Sequence, residues 1–191
     1  MNKVGILGTG MVGVTLGRRL HQVGWDVTIG ARSADSASLA EAKRLGIKTG
    51  SFADAARDAD IVINATNGLH SQDALAAIEP STLHGLTGLD LSNALEPVEA
   101  GFPRPVISAE DSVAQRLQRA FPQAKIVKTL FTMNCAVMAD PSLVAGITSP
   151  SSAGTTRRQR PRCATCWRPW DGVPSSSSTS VEWRPQRPRS C

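Results

Sequence analysis

The residues that most constrain the fold lie near the start of the chain, in the segment KVGILGTGMVGVTLGRRL at 3–20. A short apolar run is followed by three glycines with the spacing Gly8-x-Gly10-x-x-Gly13, and then by a helical pattern. A strand that leads through such a turn into a helix is typical of a loop that binds phosphate groups. Gly8 permits a tight turn, Gly10 lets a ligand approach the backbone, and Gly13 lets the helix pack closely on the strand.

The rest of the first 146 residues alternates strand and helix patterns. We predict strands at 4–7, 26–31, 47–50, 61–66, 87–93 and 124–131, and helices at 11–23, 33–46, from Ser51 onward, at 71–78 and at 111–121, the last capped by Asp111 or Ser112. Apolar strands that alternate with helices indicate a parallel sheet covered on both faces. The sequence therefore predicts an α/β fold, a doubly wound parallel sheet of the Rossmann type, in which the glycine turn binds a dinucleotide.

The end of the second predicted strand indicates which dinucleotide is bound. NAD sites place Asp or Glu about twenty residues after the glycines, where the carboxylate accepts hydrogen bonds from the ribose. This chain has Gly30-Ala31-Arg32-Ser33 there, and the next carboxylate is that of Asp35. The Arg32 guanidinium and the Ser33 hydroxyl would both bind a 2′-phosphate, which favours NADP over NAD. The alternative is that Arg32 is an ordinary surface residue on a solvated turn.

Polar residues end the fourth and fifth predicted strands, at Ala65-Thr66-Asn67 and Ser92-Asn93-Ala94. Ligands bind at the carboxyl ends of the strands in such sheets, so these residues are candidates to contact the nicotinamide, although loop capping explains them equally well. His70 follows the fourth predicted strand and is a candidate proton carrier, but a lone His in a loop is more often a surface residue. The sequence shows no Ser-His-Asp arrangement, paired carboxylates or metal cluster. We therefore predict no catalytic residue and no metal, as suits a hydride transfer between two cofactors.

Four segments together resemble the NADP oxidoreductases that depend on the deazaflavin coenzyme F-420. These segments are GILGTGMVG, the GARS turn, DLSNALEP, and AKIVKTLFTMNCAVMADPSLVAG. In the last segment Lys128 and Thr132 fit the family pattern, whereas Phe131 stands where the family usually has Asn. The resemblance covers roughly residues 1–146.

The resemblance implies hydride exchange between NADPH and the deazaflavin. It implies that Thr9, Gly10, Met11 and Val12 lie on the pyrophosphate, Arg32 and Ser33 on the 2′-phosphate, and Thr66, Asn67, Asn93 and Ala94 beside the nicotinamide. One rival is another NADPH reductase that acts on an imine, a ketone or a metal-bound substrate. A C-terminal helical dimerisation domain would mark that rival, and the sequence has no room for one. The second rival is an NADP-binding module without catalysis.

The formal net charge of +5 is unevenly distributed along the chain. Residues 1–146 contain 13 Lys and Arg against 14 Asp and Glu, whereas residues 147–191 contain 8 Arg against two acidic residues. The basic character therefore belongs to the last segment, and we predict no nucleic-acid-binding domain. Partners should be small-molecule redox cofactors.

Residues 147–191 are rich in Arg, Pro, Ser, Trp and Cys and show no hydrophobic period. Cys163-x-x-Cys166 lacks the further ligands of a zinc site and the βα context of a redox motif. We predict an NADP-binding domain at 1–146 and an irregular tail at 147–191, without regular structure from about residue 150. Codons for the tail can be chosen so that another reading frame encodes a strand, a helix and a strand, which favours a frameshift near residue 147.

No apolar run reaches the length of about 18 residues that crosses a bilayer, and the first strand begins too early to leave room for a signal peptide. The sequence therefore predicts a cytoplasmic protein that does not enter a membrane. It leaves the oligomeric state open, and a homodimer is one of the arrangements that it allows.

Overall fold

A computed structural model describes residues 2–99, 101–106, 111–144 and 152–154 of the chain. The elements are β1 (Lys3–Leu7), α1 (Met11–Gln22), β2 (Asp26–Ala31), α2 (Ala40–Arg44), β3 (Lys48–Ser51), α3 (Phe52–Ala56), β4 (Ile61–Asn64), α4 (Ser71–Ala76), α5 (Pro80–Leu83), β5 (Thr87–Asp90), β6 (Leu95–Glu96), β7 (Arg104–Pro105), α6 (Val113–Ala120), β8 (Lys125–Thr129), α7 (Cys135–Ala139) and β9 (Ser152–Gly154). Short 3₁₀ helices lie at Ala37–Leu39, Gly68–His70 and Pro141–Leu143.

The main sheet has the strand order β3-β2-β1-β4-β5-β8-β9. The first six of these strands are parallel, so their carboxyl ends meet at one edge, and the chain reverses its direction of winding between β1 and β4. This arrangement confirms the predicted doubly wound parallel sheet. The reversal places the ends of β1 and β4 side by side, where such folds form their ligand crevice.

Both faces of the sheet are covered by helices. Neighbouring residues of one strand pack on opposite faces. Ile6 of β1 and Ile63 of β4 pack in the core with α1, whereas Leu7 of β1 and Val62 of β4 pack in the core with α4 and α6. Such two-sided burial explains why the strands read as apolar runs rather than as an alternating pattern. The sheet is therefore a rigid platform whose carboxyl edge presents the connecting loops.

The strands β4, β5 and β8 end earlier than the sequence predicts, and side chains explain the endings of β4 and β5. β4 ends at Asn64, whose side-chain oxygen accepts a hydrogen bond from the Thr66 backbone N–H at 3.3 Å. β5 ends at Asp90, whose carboxylate likewise accepts from the Ser92 backbone N–H at 3.2 Å. Such local bonds turn the chain out of the sheet. The predicted helix at 33–46 is also shorter, since regular turns begin at Ala37 and end with α2.

Two of the predicted helices begin at a serine cap. Ser51 forms a capping box with Asp54 at the start of α3, and the hydrogen bond from the Ser51 hydroxyl holds the pKa of the Asp54 carboxyl below its usual value. Ser112, one of the two predicted caps, forms a second capping box at the start of α6. The sequence analysis missed α5, α7 and the small ribbon of β6 and β7, because each is too short to show a hydrophobic period.

One short strand corrects the prediction for the tail. Ser152–Gly154 forms β9, which pairs antiparallel with Val127, Lys128 and Thr129 of β8. The prediction of no regular structure from about residue 150 is therefore wrong for these three residues. Pairing of this kind uses backbone groups along the edge of β8 and needs no particular side chains. Residues 145–151 and 155–191, on which the rest of the tail prediction falls, lie outside the described residues. Within the described ranges, no helix has the length and apolar character to cross a membrane.

Candidate functional site

The glycine turn joins β1 to α1 at the carboxyl edge of the sheet. Gly8 has φ +119°, a conformation that side chains strongly disfavour, and its N–H donates to the Gly30 carbonyl at 3.0 Å. A Cβ at Gly8 would also lie 2.7 Å from the Ala65 carbonyl oxygen, after β4. Only glycine therefore fits at this position, and the turn is fixed against the neighbouring strands on both sides.

The other two glycines have opposite surroundings. A Cβ at Gly13 would lie 2.1 Å from the Gly8 carbonyl oxygen, so the absence of a side chain lets α1 pack directly on the turn. A Cβ at Gly10 would meet no atom within 4 Å, so open space lies above this residue. Gly13 is thus required by packing within the protein, whereas nothing within the described protein requires glycine at Gly10.

The amino end of α1 offers free backbone donors beside that open space. Gly10 is the N-cap, makes no side-chain capping bond, and no acidic residue lies in the first turn. The first N–H groups of a helix lack intrahelical partners, and the helix dipole adds positive potential there. Of the flanking residues, Thr9 is half-buried, Met11 is 74% exposed, and Val12 packs against the core. The arrangement can bind an anion through its backbone.

Arg32 and Ser33 follow β2, which pairs with β1 through Gly30 and Leu7. Both residues are exposed, and Ser33 is held in a tight turn in which its hydroxyl accepts from the Asp35 N–H at 3.3 Å. Among the ion pairs of the described residues, none involves Arg32. The structure therefore presents an uncommitted guanidinium at the end of the strand adjacent to the glycine turn.

The loop after β4 is shaped by its own side chains. The Thr66 hydroxyl donates to the Asn64 side-chain oxygen at 2.7 Å. Asn67 caps the 3₁₀ helix by accepting from the Leu69 N–H at 3.0 Å, and its amide group donates to the Leu95 carbonyl, also at 3.0 Å. The loop-capping role that the sequence left open is therefore observed for Asn67.

The loops after β4, β5 and β8 contact one another. The Gly68 N–H donates to the Asn93 carbonyl at 2.9 Å, and a Cβ at Gly68 would lie 2.5 Å from the Ala94 nitrogen. The Asn93 amide group donates to the Phe131 carbonyl at 2.8 Å. The residues predicted to border the nicotinamide, Thr66-Asn67 and Asn93-Ala94, are thus brought to adjoining loops of one edge.

Below these loops lies a buried polar cluster that sequence reasoning missed. Asp90 is 1% exposed, and its carboxylate accepts from Asn64 at 2.8 Å, from the Ser92 hydroxyl at 2.6 Å and from the Lys128 ammonium at 2.9 Å. Asn64 also donates to Ser71 at 2.8 Å. Asn64, Asp90 and Lys128 are register partners on three neighbouring strands. The available signal was a polar residue inside each of the predicted strands at 61–66, 87–93 and 124–131.

Among the described residues of this edge, His70 is the other candidate for acid–base chemistry. His70 is exposed at the end of its 3₁₀ helix, and the cluster at Asp90 does not include it. Within the described ranges, no group of three or more His, Cys, Asp or Glu side chains could hold a metal ion. The site is a binding edge built from backbone donors, one exposed cation and adjoining polar loops.

Comparison with known proteins assigns the chain to a family. The family described as "NADP oxidoreductase coenzyme F420-dependent" matches residues 3–94, from β1 to the loop after β5. A crystal structure from Arthrobacter sp., described as that of a candidate F420-dependent NADP-reductase, is 35% identical with a TM-score of 0.80, over 89% of this chain and 81% of the other. The chain belongs to the coenzyme F420-dependent NADP oxidoreductase family. The resemblance inferred from the sequence is confirmed, and the family is one of NADP-dependent oxidoreductases.

Other solved structures share the architecture of this F420-dependent NADP oxidoreductase family member. A hypothetical protein from Sinorhizobium meliloti is 26% identical with a TM-score of 0.69, over 90% of this chain and 82% of the other. A reductive aminase from Aspergillus terreus, solved with NADPH and ethyl-5-oxohexanoate, is 20% identical with a TM-score of 0.55, over 72% of this chain and 43% of the other. At this identity the aminase shows the fold alone. No curated protein matches the chain.

Proposed function

We propose that this chain binds NADP(H) along the carboxyl edge of its sheet and exchanges hydride between NADPH and the deazaflavin coenzyme. The observation that carries the proposal is the open space above Gly10, at the uncapped start of α1 and beside the strand that ends at Arg32. The family supports NADP as the nucleotide. The residues present fit that nucleotide, because the space that a side chain at Gly10 would occupy contains no protein atom and is open to a phosphate group.

The pyrophosphate is assigned to the glycine turn. Gly8 shapes the turn, while Thr9, Gly10 and the first turn of α1 at Met11, Val12 and Gly13 supply backbone N–H groups, whose positive potential suits two adjoining phosphates. The absence of an acidic residue from this turn removes the repulsion that a carboxylate would cause. The N–H groups act without side-chain rearrangement because the helix already holds them.

The 2′-phosphate is assigned to Arg32 and Ser33. A guanidinium binds phosphate through two parallel hydrogen bonds, and Arg32 has no carboxylate partner in the described residues that would compete. Ser33 adds a hydroxyl at the same strand end. The carboxylate that NAD sites use at this position is absent, since Asp35 lies two residues beyond Ser33 and is exposed.

The nicotinamide end is assigned to Thr66-Asn67 and Asn93-Ala94. When bound, NADPH supplies a hydride that reduces the deazaflavin and leaves NADP⁺, and the reverse transfer regenerates NADPH. The protein's part is to bind, to orient and to exclude water, because the two cofactors carry the chemistry themselves. The contact between Gly68 and Asn93 keeps the two loops at a fixed separation, as orientation of the ring requires.

The domain assignment follows from these positions. We assign nucleotide binding to the unit at 1–146, because every residue proposed to contact NADP(H) lies between Gly8 and Ala94. The description of the Arthrobacter structure supports the deazaflavin as the hydride partner. The imine-reducing and aminating neighbours support only the fold, and hence leave an imine or ketone reductase as the alternative to be tested.

A paired activity assay tests the proposal. Purified protein is mixed with NADPH and either the oxidised deazaflavin coenzyme or a cyclic imine, and the loss of NADPH absorbance is followed alongside the bleaching of the deazaflavin. We expect NADPH oxidation with the deazaflavin and none with the imine. Oxidation with the imine alone would replace the proposed acceptor, and binding of NADPH without turnover of either would indicate a non-catalytic module.

A further inference from the structure

Lys128 lies in β8 at the point where three loops of the carboxyl edge converge. Its ammonium donates to the Asp90 carboxylate at 2.9 Å and to the Ser92 carbonyl, and it lies 5.0 Å from the centroid of the Phe131 ring. The Lys128 side chain is 13% exposed and that of Asp90 is 1% exposed. One nearly buried cation is thus shared by the end of β5, the loop that follows it and the loop after β8.

We propose that Lys128 is a positioning residue that fixes the nicotinamide-binding loops, and that Asp90 and Phe131 are the groups through which it acts. The inference rests on the proposed function, since it concerns the loops assigned to the nicotinamide. It concerns neither the glycine turn nor Arg32, which lie on other strands.

The buried ion pair anchors the loop after β5. Asp90 receives donors from Asn64 and Ser92 as well as from Lys128, so its carboxylate is fully committed. The Lys128 ammonium also holds the Ser92 carbonyl, which fixes the backbone that leads into Asn93. Removal of the ammonium leaves a buried carboxylate without its cation and a carbonyl without its donor, so this backbone loses its anchor.

Phe131 connects the loop after β8 to the same cation. Its ring lies against the Lys128 ammonium, an attraction between the cation and the aromatic face. Its carbonyl accepts from the Asn93 amide group at 2.8 Å, and its side chain is 37% exposed at the edge. The loop carrying Asn93 and the half-exposed ring are therefore set by one side chain, and displacement of Lys128 moves both.

The test compares Lys128→Met with Lys125→Met. Lys125 lies at the other end of β8 and its ammonium donates to the Gly85 carbonyl at 3.2 Å, so it controls for loss of a lysine from the same strand. Two probes are titrated into the full chain: NADPH, and adenosine 2′,5′-bisphosphate, which carries the 2′-phosphate but no nicotinamide. The enhancement of NADPH fluorescence on binding is recorded as a second signal from the nicotinamide environment.

We expect Lys128→Met to weaken NADPH binding about tenfold, equivalent to about 1.4 kcal/mol, and to reduce the fluorescence enhancement. Binding of adenosine 2′,5′-bisphosphate stays unchanged, and Lys125→Met alters neither probe. An unchanged ratio of the two affinities in a folded Lys128→Met protein overturns the inference. Equal loss for both probes also overturns it, because a general structural role would produce that result.

A second variant covers the case in which Lys128→Met does not fold. Asn93→Ala removes the bond to the Phe131 carbonyl at an exposed position and leaves the buried ion pair intact. This variant should lower the affinity for NADPH a few-fold and leave the affinity for adenosine 2′,5′-bisphosphate unchanged. An unaltered NADPH affinity contradicts the proposed coupling between the two loops. If the unmodified chain binds neither probe, the proposed function fails by itself, whatever the variants do.

Discussion

The loops at Thr66-Asn67 and Asn93-Ala94, to which we assign the nicotinamide, form what is called here the nicotinamide edge. The glycine turn and the nicotinamide edge are built in different ways, although both lie at the carboxyl ends of strands of the same sheet. At the turn, the shape depends on the absence of side chains at Gly8 and Gly13, open space lies above Gly10, and the donors are backbone groups. At the edge, the loops are held by side chains, above all by Asp90 and Lys128. On the proposed function, the first region would supply affinity through a rigid backbone, and the second would supply orientation through contacts that single substitutions can release.

The largest expected effect comes from Gly10→Val, which fills the open space above the turn. NADPH and adenosine 2′,5′-bisphosphate should each lose at least about 100-fold in affinity, or about 2.8 kcal/mol, because both place phosphate groups near the backbone. The backbone at Gly10 is extended, with φ −74° and ψ −177°, so valine fits the chain itself. Titration calorimetry measures the loss, and an unchanged circular dichroism spectrum shows that the fold is retained. Retained binding would mean that the turn does not hold the phosphates.

A second substitution separates packing from binding within the same turn. Gly13→Ala places a Cβ 2.1 Å from the Gly8 carbonyl oxygen, so we expect the free energy of unfolding to fall by about 1–3 kcal/mol. Gly10→Ala is the matched control, because alanine fits its backbone and open surroundings, and it should be neutral or stabilising by about 0.4–1 kcal/mol. Urea denaturation distinguishes the two, and equal stability of both variants would contradict the packing assigned to Gly13.

The choice of nucleotide gives the next largest effect. NADPH should bind at least about tenfold more tightly than NADH, a difference of about 1.4 kcal/mol. Arg32→Ala should remove most of this preference, because it weakens the binding of NADPH and leaves the binding of NADH unchanged. Arg57→Ala is the control, since Arg57 is also exposed but pairs with Asp54 at 2.8 Å. If NADPH and NADH bind the unmodified chain equally, the assignment of the 2′-phosphate to Arg32 is wrong.

The smallest effect concerns the contact between the loops of the nicotinamide edge. Gly68→Ala places a Cβ 2.5 Å from the Ala94 nitrogen, which pushes the two loops apart. The affinity for NADPH should fall about threefold, or about 0.7 kcal/mol, whereas the affinity for adenosine 2′,5′-bisphosphate should not change. Gly88→Ala in β5 serves as control, because its Cβ would meet only the end of the Ile126 side chain at 3.1 Å. A matching loss in both variants would show that the effect is not specific to this edge.

The same contrast explains what the sequence could predict. Gly8 and Gly13 lie five residues apart and their roles are local, so their spacing indicates the turn and the helix that follows. The cluster at Asp90 joins residues 26 and 38 positions away, at Asn64 and Lys128, and only the pairing of the strands brings them together. Strand order was predicted as a class of fold, but register was not, and the meeting of Asn64, Asp90 and Lys128 depends on register.

Short elements without a long apolar pattern also could not be predicted from the sequence. Helix α7, capped by Asn134, has five residues and thus too few turns to show a period, although its Met138 is buried against the sheet. The strand at Ser152–Gly154 pairs through its backbone and carries no side-chain signal. Sequence patterns predict the elements that bury an apolar face or begin at a capping box, as at Ser51, and they do not predict those fixed by edge pairing.

The central claim is that the glycine turn and Arg32 together hold NADP(H), and a crystal structure of the chain with bound NADP⁺ tests it most directly. The account predicts the pyrophosphate at hydrogen-bond distance, about 3 Å, from the N–H groups at the start of α1, with the 2′-phosphate against the Arg32 guanidinium. It also predicts the nicotinamide beside Asn93. A nucleotide bound elsewhere, or one whose 2′-phosphate points away from Arg32 into solvent, would contradict it.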